Sequence, residues 1–291
     1  MEHLDLGFYL LGTKKIKFGH TSLVRIYAKR SCFVLKFLTE NKNARLIVFE
    51  GEDHLSFITD KVKAIEHTHY YIQITIGLNQ TFNLETESVK VNLRGVIIDS
   101  NVPHELDGND LWQYYMLINP ESKLGLEIKR RFLRTSNTYE LDFKLIEDIL
   151  HSLTNVECSN SYQTFIRKTM RTLGIPYKNY CTLDKRCEDV INIIKKTPLN
   201  KLTVPSLAGH VFLSESRLSH LFKEEVGISI SSYLVYEKIR NAFHLIFEGN
   251  TLTEAAIEAG FNSSSHFSRC VREKLGMSPS IIAKDSRYMK V

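Results

Sequence analysis

A chain of 291 residues, with 43% hydrophobic and 24% charged side chains, is long enough for two domains and has the composition of an ordinary soluble globular protein. Its net charge of +5 is unevenly placed: residues 1–120 carry 13 basic and 14 acidic side chains, residues 121–291 carry 25 and 19, so the basic excess lies in the C-terminal half and suits a polyanionic partner. Five cysteines without a C-x-x-C pair read as reduced thiols, no apolar run approaches the length of a membrane span, and the start lacks the pattern of a signal peptide, so the expectation is a cytoplasmic protein.

Residues 1–118 read as β structure. Short alternating runs cover Leu23 to Ala28, Cys32 to Leu38, Arg45 to Phe49, Tyr70 to Ile76, Val89 to Leu93, Val96 to Ile98 and Leu111 to Ile118. Turn residues such as Gly77-Leu78-Asn79 and Asp107-Gly108-Asn109 separate them, which predicts a sandwich or barrel. Two spots carry chemistry: E-H-T-H-Y-Y-I-Q, with His67, His69, Tyr71 and Gln73, and G-V-I-I-D-S-N-V-P-H, ending in His104. Alternation places His67, His69 and Tyr71 on one strand face. This segment resembles the cupin barrel, whose first motif is H-x-H followed by a Glu, and whose second ends in a His after a Gly and Pro turn. The resemblance implies a closed barrel in which His104 meets the other two imidazoles, with Gln73 where cupin metalloenzymes place Glu. Three readings stay open here: a metal site, a pocket for an organic effector without metal, or a barrel kept for structure or dimerisation. The expectation is an effector pocket formed by His67, His69, Tyr71, Gln73 and His104, without metal or cofactor, because Gln is a poor metal ligand beside Glu.

Residues 121–180 turn helical. Glu121 to Leu133 carries Leu124, Ile128 and Leu133 beside the basic run Lys129-Arg130-Arg131, which reads as a solvated face. Glu140 to Leu153 draws one apolar stripe from Leu141, Leu145, Ile149 and Leu153, widened by Phe143, Ile146 and Leu150. Such a stripe either packs on its own barrel or forms a dimer face. Tyr162 to Leu173 gives a third helix, ended by Gly174 and Pro176. Gly174 to Asp184 is the predicted linker, and Glu188 to Lys195 opens the last domain, residues 184–291, with Val190, Ile191 and Ile194 inward and Pro198 as its stop.

Two copies of one pattern follow. Leu202 to Gly227 and Leu252 to Gly276 each read as a short apolar helix, a tight turn, an N-cap Ser and a second helix closed by Gly. The second halves align Ser214 with Ser263, Leu218 with Phe267, Phe222 with Val271 and Gly227 with Gly276; the first halves align Ala208 with Ala256, one residue out of step. Leu218, Leu221 and Phe222 must face inward, as must Phe267 and Val271. The outward residues are then Ser216, Arg217, Ser219, His220 and Lys223 in one unit, and Ser264, Ser265, His266, Ser268 and Arg269 in the other. Hydroxyl, imidazole and guanidinium groups on both helices in one register suit base edges and phosphates of duplex DNA. Ser232 to Phe247 joins the units as one amphipathic helix, roughly 24 Å long, which lets the two reading helices sit about 34 Å apart in successive major grooves.

These landmarks resemble the DNA-binding domain of the AraC/XylS family of bacterial transcription regulators: L-A at Leu207-Ala208, S-x-x-x-L-x-x-L-F-K from Ser214 to Lys223, G-I-S at Gly227 to Ser229, G-F at Gly260-Phe261, S-S-x-F-S-R from Ser264 to Arg269 and G-M-S-P from Gly276 to Pro279. The resemblance implies DNA contacts on the ten outward residues above, with Lys238 and Arg240 of the joining helix on phosphates. Ala255, Val271 and the pair Ile282-Ala283 depart from the family's usual residues, which places the main grip on the first unit. The expectation is an α+β chain: a cupin-like effector barrel over residues 1–120, a helical dimerisation segment and linker over 121–180, and a double helix-turn-helix domain over 184–291. It would be a cytoplasmic, homodimeric, non-enzymatic activator that binds double-stranded DNA and RNA polymerase and answers to a small-molecule effector. The rivals are a metal-dependent cupin enzyme built on His67, His69 and His104, and a constitutive DNA-binding protein whose barrel only dimerises.

Overall fold

The computed structural model describes residues 45–290, apart from 52, 88, 154–158, 176–182 and 285. The strands expected at Leu23 to Ala28 and Cys32 to Leu38, and the heart of the expected linker, lie outside the described residues.

Among the described residues the first domain is built from two sheets. The larger runs in the order β10-β7-β4-β9-β2-β1-β11, and the smaller in the order β3-β8-β5-β6. The strands are β1 (Leu46–Glu50), β2 (His54–Thr59), β3 (Lys63–His67), β4 (Ile72–Gly77), β5 (Phe82–Thr86), β6 (Lys90–Leu93), β7 (Gly95–Ile98), β8 (His104–Asp107), β9 (Gln113–Ile118), β10 (Thr138–Glu140) and β11 (Ser286–Lys290). The two sheets share no ladder among the described residues, so the expected closed barrel is here two facing sheets. They meet through apolar side chains instead: Phe82, Leu84 and Leu106 of the small sheet pack with Val96, Ile98 and Tyr115 of the large one. β4 and β9 are buried along their whole length, as central strands covered on both faces must be.

Helices cover the second face of the large sheet. α1 (Lys123–Phe132) starts at Ser122, whose hydroxyl accepts from the Gly125 amide. α2 (Phe143–Leu153) buries Ile146, Ile149, Leu150 and Leu153. Gly95 of β7 lies so close beneath it that an added Cβ would stand 2.8 Å from Ile146. α3 (Ser159–Thr172) lays Tyr162 in a stack on Phe49, with ring centroids 4.4 Å apart, and sets Phe165 edge-on to Tyr114. The apolar stripe of α2 therefore packs on its own chain, with Leu145 half-buried and Phe143 exposed.

The second domain comprises α4 (Lys185–Lys196), a short 3-10 turn (Leu199–Lys201), α5 (Val204–His210), α6 (Glu215–Val226), α7 (Ile230–Phe247), α8 (Leu252–Glu258), α9 (Ser264–Leu275) and α10 (Pro279–Ala283). Val190, Ile191 and Ile194 of α4 join Leu207, Ala208, Leu218, Leu221 and Phe222 in the first unit's core, as their spacing predicts. Ala256, Phe261, Phe267 and Val271 form the second unit's core against Ile239 and Ala242 of α7. The chain does not end in this domain. After α10 it returns to the large sheet, where β11 pairs in parallel with β1, Leu46 opposite Ser286 and Glu50 opposite Lys290. No helix of the described residues is long and apolar enough to cross a membrane.

Candidate nucleic-acid interface and interdomain pocket

The first unit is built as its sequence dictates. Thr203 caps α5 and Ser214 caps α6, each hydroxyl accepting from a backbone amide three residues on. The turn between them carries Phe212 with a φ of 54° and almost complete exposure. Gly227, with a φ of 87°, closes α6 in the left-handed conformation that favours glycine. Leu218 and Phe222 are fully buried, so Ser216, Arg217, Ser219, His220 and Lys223 all stand exposed on one face of α6.

The second unit repeats the plan. Thr251 and Glu254 form a reciprocal capping box on α8, Ser263 caps α9 and Gly276 closes it with a φ of 67°. Ser265 and Arg269 are exposed, while Ser264 and Ser268 are half-buried. His266 departs from the expected outward set. Its ring turns edge-on to Phe261, with centroids 5.5 Å apart, and its Nδ1 is buried without a hydrogen-bond partner.

The joining helix also departs from expectation. Lys238 donates from Nζ to the Gly260 carbonyl at 2.8 Å, tying α7 to the C-terminal turn of α8. Arg240 lies 3.1 Å from Glu237 and 3.8 Å from Glu50 of β1. It faces the β domain. Both side chains are engaged within the chain, Lys238 on the second unit and Arg240 toward the β domain.

The reason is that the two domains are docked. Tyr70, fully buried, inserts into the first unit's core. Its amide donates to the Tyr236 hydroxyl at 3.0 Å. The hydroxyls of Tyr70 and of Tyr233, on α7, both donate to one oxygen of Glu121 at 3.2 Å. The other Glu121 oxygen is buried without a partner, and burial pushes this carboxyl up to about 7. The second unit touches a different part of the β domain: Met277 packs into the cluster between the sheets, and Gly276 sits on Ile65 and His67 of β3.

A pocket of about 150 Å³ opens between these elements. Val48, Phe57 and Leu117 from the large sheet and Ile239, Phe243 and Ile282 from α7 and α10 make most of its wall apolar. His67, His69, Tyr71, Gln73 and Arg240 also line it. The structure thus brings four of the five expected effector residues to one cavity. His104 does not line it; it lies behind, directly opposite His67 in the β3–β8 ladder. The three imidazoles meet as expected, with one nitrogen of each within 4.8 Å of the others. Burial lowers all three; His67, which also feels His104, falls to about 4.

Sequence reasoning missed Tyr70, Glu121, Tyr233 and Tyr236. The Tyr70-Tyr71 pair was in view, but nothing in its local pattern says that one ring enters another domain.

A helix-turn-helix domain family matches residues 207–285. The "Probable transcriptional regulator LumQ" of Photobacterium leiognathi is 28% identical over 235 residues, which cover 76% of this chain and 92% of the relative. The arabinose operon regulatory protein of Salmonella typhimurium is 34% identical over 101 residues, 34% of this chain and 36% of the relative. Among solved structures, apo ToxT of Vibrio cholerae superposes with a TM-score of 0.57 at 12% identity, over 80% of this chain and 98% of that one. A form of ToxT bound to an unsaturated fatty acid superposes with a TM-score of 0.53 at 14% identity, over 80% of this chain and 95% of that one. At such identities the two superpositions speak for the fold: a β-rich N-terminal domain followed by a helical one. The paired helix-turn-helix units, capped and closed as described, are the part of the chain that matches a known domain family, and they resemble the AraC-type DNA-binding domain.

Proposed function

We propose that the chain is a sequence-specific, effector-controlled activator of transcription, working in the cytoplasm as a homodimer and placing RNA polymerase at a promoter. In this reading α6 and α9 enter successive major grooves through Ser216, Arg217, Ser219, His220 and Lys223 and through Ser264, Ser265, Ser268 and Arg269. The observation that carries the effector is the position of the pocket. Its wall includes Ile239, Arg240 and Phe243 of α7, the helix that joins the two reading units. A ligand there touches the element that sets their spacing. An apolar wall with one guanidinium suits an elongated apolar acid, and the fatty-acid-bound relative of the same fold supports that class. A ligand can bias the chain only as far as it prefers one docking over the other; a tenfold preference is worth about 1.4 kcal/mol.

The test is the affinity of the full chain for its own upstream DNA, read by fluorescence anisotropy with and without an unsaturated fatty acid. Leu117→Trp, which fills the pocket from the β domain, is expected to abolish the ligand response and leave basal DNA binding in place. An unchanged response in that variant overturns the pocket; no binding to duplex DNA at low salt overturns the whole reading.

A further inference from the structure

We propose that Phe212, in the turn between α5 and α6, is a further DNA contact of the first unit, its ring resting on a thymine methyl at the edge of the major groove that α6 enters. The inference rests on the reading of α6 as a DNA-reading helix, and it adds a residue that lies outside that helix.

The second unit supplies the comparison. There the Gly260 amide donates to the Ile257 carbonyl at 3.0 Å, and the Phe261 amide donates to the Ala256 carbonyl at 2.9 Å. In the first unit the Phe212 amide donates to the Gly209 carbonyl at 3.4 Å, and the Leu213 amide donates to the Ala208 carbonyl at 3.0 Å. The pattern is the same, so Phe212 stands where Gly260 stands and Leu213 where Phe261 stands. Both turns adopt the left-handed conformation at this position, with φ 54° at Phe212 and 88° at Gly260. The residues that follow also match: Phe261 is buried in its unit's core, and Leu213 packs half-buried against the other. The two turns differ in the side chain at the left-handed position itself.

Glycine takes that conformation without a steric penalty, whereas a bulky residue is strained there. Contacts within the chain do not offset the strain at Phe212. Its side chain is 96% exposed, against 58% for Ile65, another large apolar residue at the surface. It forms no part of the interdomain pocket wall. Strain held at an exposed position points to a role toward a partner.

The position of the turn names that partner. Ser214 caps α6 two residues after Phe212, and Ser216 and Arg217 stand exposed in the first turn of the helix. A reading helix of this type meets base edges through its N-terminal residues, so the turn before its cap comes to the groove edge with them. The exposed cations Arg217 and Lys223 continue the same surface. Beside the ring the turn is open, since a Cβ added at Gly209 meets nothing within 4 Å. A phenyl ring neither donates nor accepts a hydrogen bond, so it reads neither a phosphate nor a polar base edge. The apolar group that the major groove presents is the C5 methyl of thymine.

The test uses the full chain and a duplex from its own upstream region, with fluorescence anisotropy beside thermal melts. Phe212→Gly should raise the melting temperature by about 2 °C as the strain is relieved. The same variant should bind the duplex roughly three- to tenfold more weakly. Phe212→Asn, which also tolerates the left-handed conformation, is the second variant and should lose the same affinity. Uracil in place of thymine, one position at a time, removes single methyl groups. At one position it should weaken the wild type by that same factor and leave Phe212→Gly unaffected. The salt dependence of both variants should match the wild type, because no phosphate contact is lost, whereas Lys223→Ala should reduce it. Variants that bind as tightly as the wild type overturn the proposal; if they also activate transcription by purified RNA polymerase less well, the ring belongs to a protein contact instead. A loss of affinity coupled to no thymine position overturns it as well. A wild type that binds no duplex removes the reading of α6 itself, a result distinct from unchanged variants of a binding wild type.

Discussion

The two helix-turn-helix units of this chain share a plan but stand on different ground. The first is fastened through polar groups. Tyr70 enters its core, and Glu121 receives two tyrosine hydroxyls, one from each domain. The second is seated by close approach: the left-handed glycine that ends α9 lies against β3, and Met277 fills a gap between the sheets. Both reading helices nonetheless keep polar groups exposed, α6 through Ser216, Arg217, Ser219, His220 and Lys223, and α9 through Ser265 and Arg269. Two units of one pattern can therefore be held by different physics, and different conditions should release them.

The largest expected effect separates them by pH. Glu121 has its carboxyl raised to about 7, chiefly by burial. A group raised in the folded state contributes stability that is complete below its ordinary value near 4.5 and is lost as pH climbs through about 7. The groups that face it are Tyr70, Tyr233 and Lys195, with Glu237 one turn and Arg240 two turns beyond Tyr233 along α7. Raising pH from 5 to 8 should loosen the first unit's docking by at most about 3 kcal/mol. Glu121→Gln should flatten that dependence. The measurement is the denaturant midpoint of both proteins against pH. His67, lowered to about 4, acts in the opposite sense at acid pH, and the difference between the two proteins cancels it. Parallel curves would mean that Glu121 does not hold the first unit.

The paired glycines come next. Gly227 and Gly276 end the two reading helices with φ values of 87° and 67°, and any side chain there meets backbone strain of about 1–2 kcal/mol. At Gly227 an added Cβ finds only Asn101 at 3.7 Å, an ordinary contact. At Gly276 it meets His67 and Ile65 at 2.8 Å. Gly276→Ala should therefore lower the melting temperature more than Gly227→Ala, by the equivalent of about 1 kcal/mol or more. Equal losses would show that the second unit is not seated on β3.

The smallest effect compares histidines at matching places. His220 is exposed, and His220→Ala should change stability by less than about 0.5 kcal/mol while weakening specific DNA binding. His266 is turned against Phe261, so His266→Ala should cost stability with little loss of DNA affinity beyond it. Thermal melts beside anisotropy titrations distinguish the two outcomes.

Much of the second domain was legible from local pattern. Apolar spacing named Leu218, Phe222, Phe267 and Val271 as core, and hydroxyl residues before each helix named Ser214 and Ser263 as caps. Helical periodicity encodes one buried face directly, so a reader needs only a dozen residues. The strand runs were less legible: β2, β3, β5, β8 and β10 were missed, because segments of three to six residues with mixed burial give a weak alternation. β11 could not be read at all, since a pairing between residues 46 and 286 leaves no local trace. The histidines of the first domain were found by type and spacing, although their meeting depends on the β3–β8 register.

Taken by itself, the sequence determined the duplicated unit, its caps and its inward faces. Each of these follows from periodicity and from backbone groups that must be satisfied within a few residues. Only the tertiary structure decided that two sheets face each other without closing, and that Tyr70 belongs to the core of another domain. It decided also that Arg240 answers to Glu50 and Lys238 to the Gly260 carbonyl, where the family resemblance had implied phosphate contacts for both. A helix face that looks polar in sequence is exposed only if nothing docks on it, and docking is set by surfaces far apart in the chain.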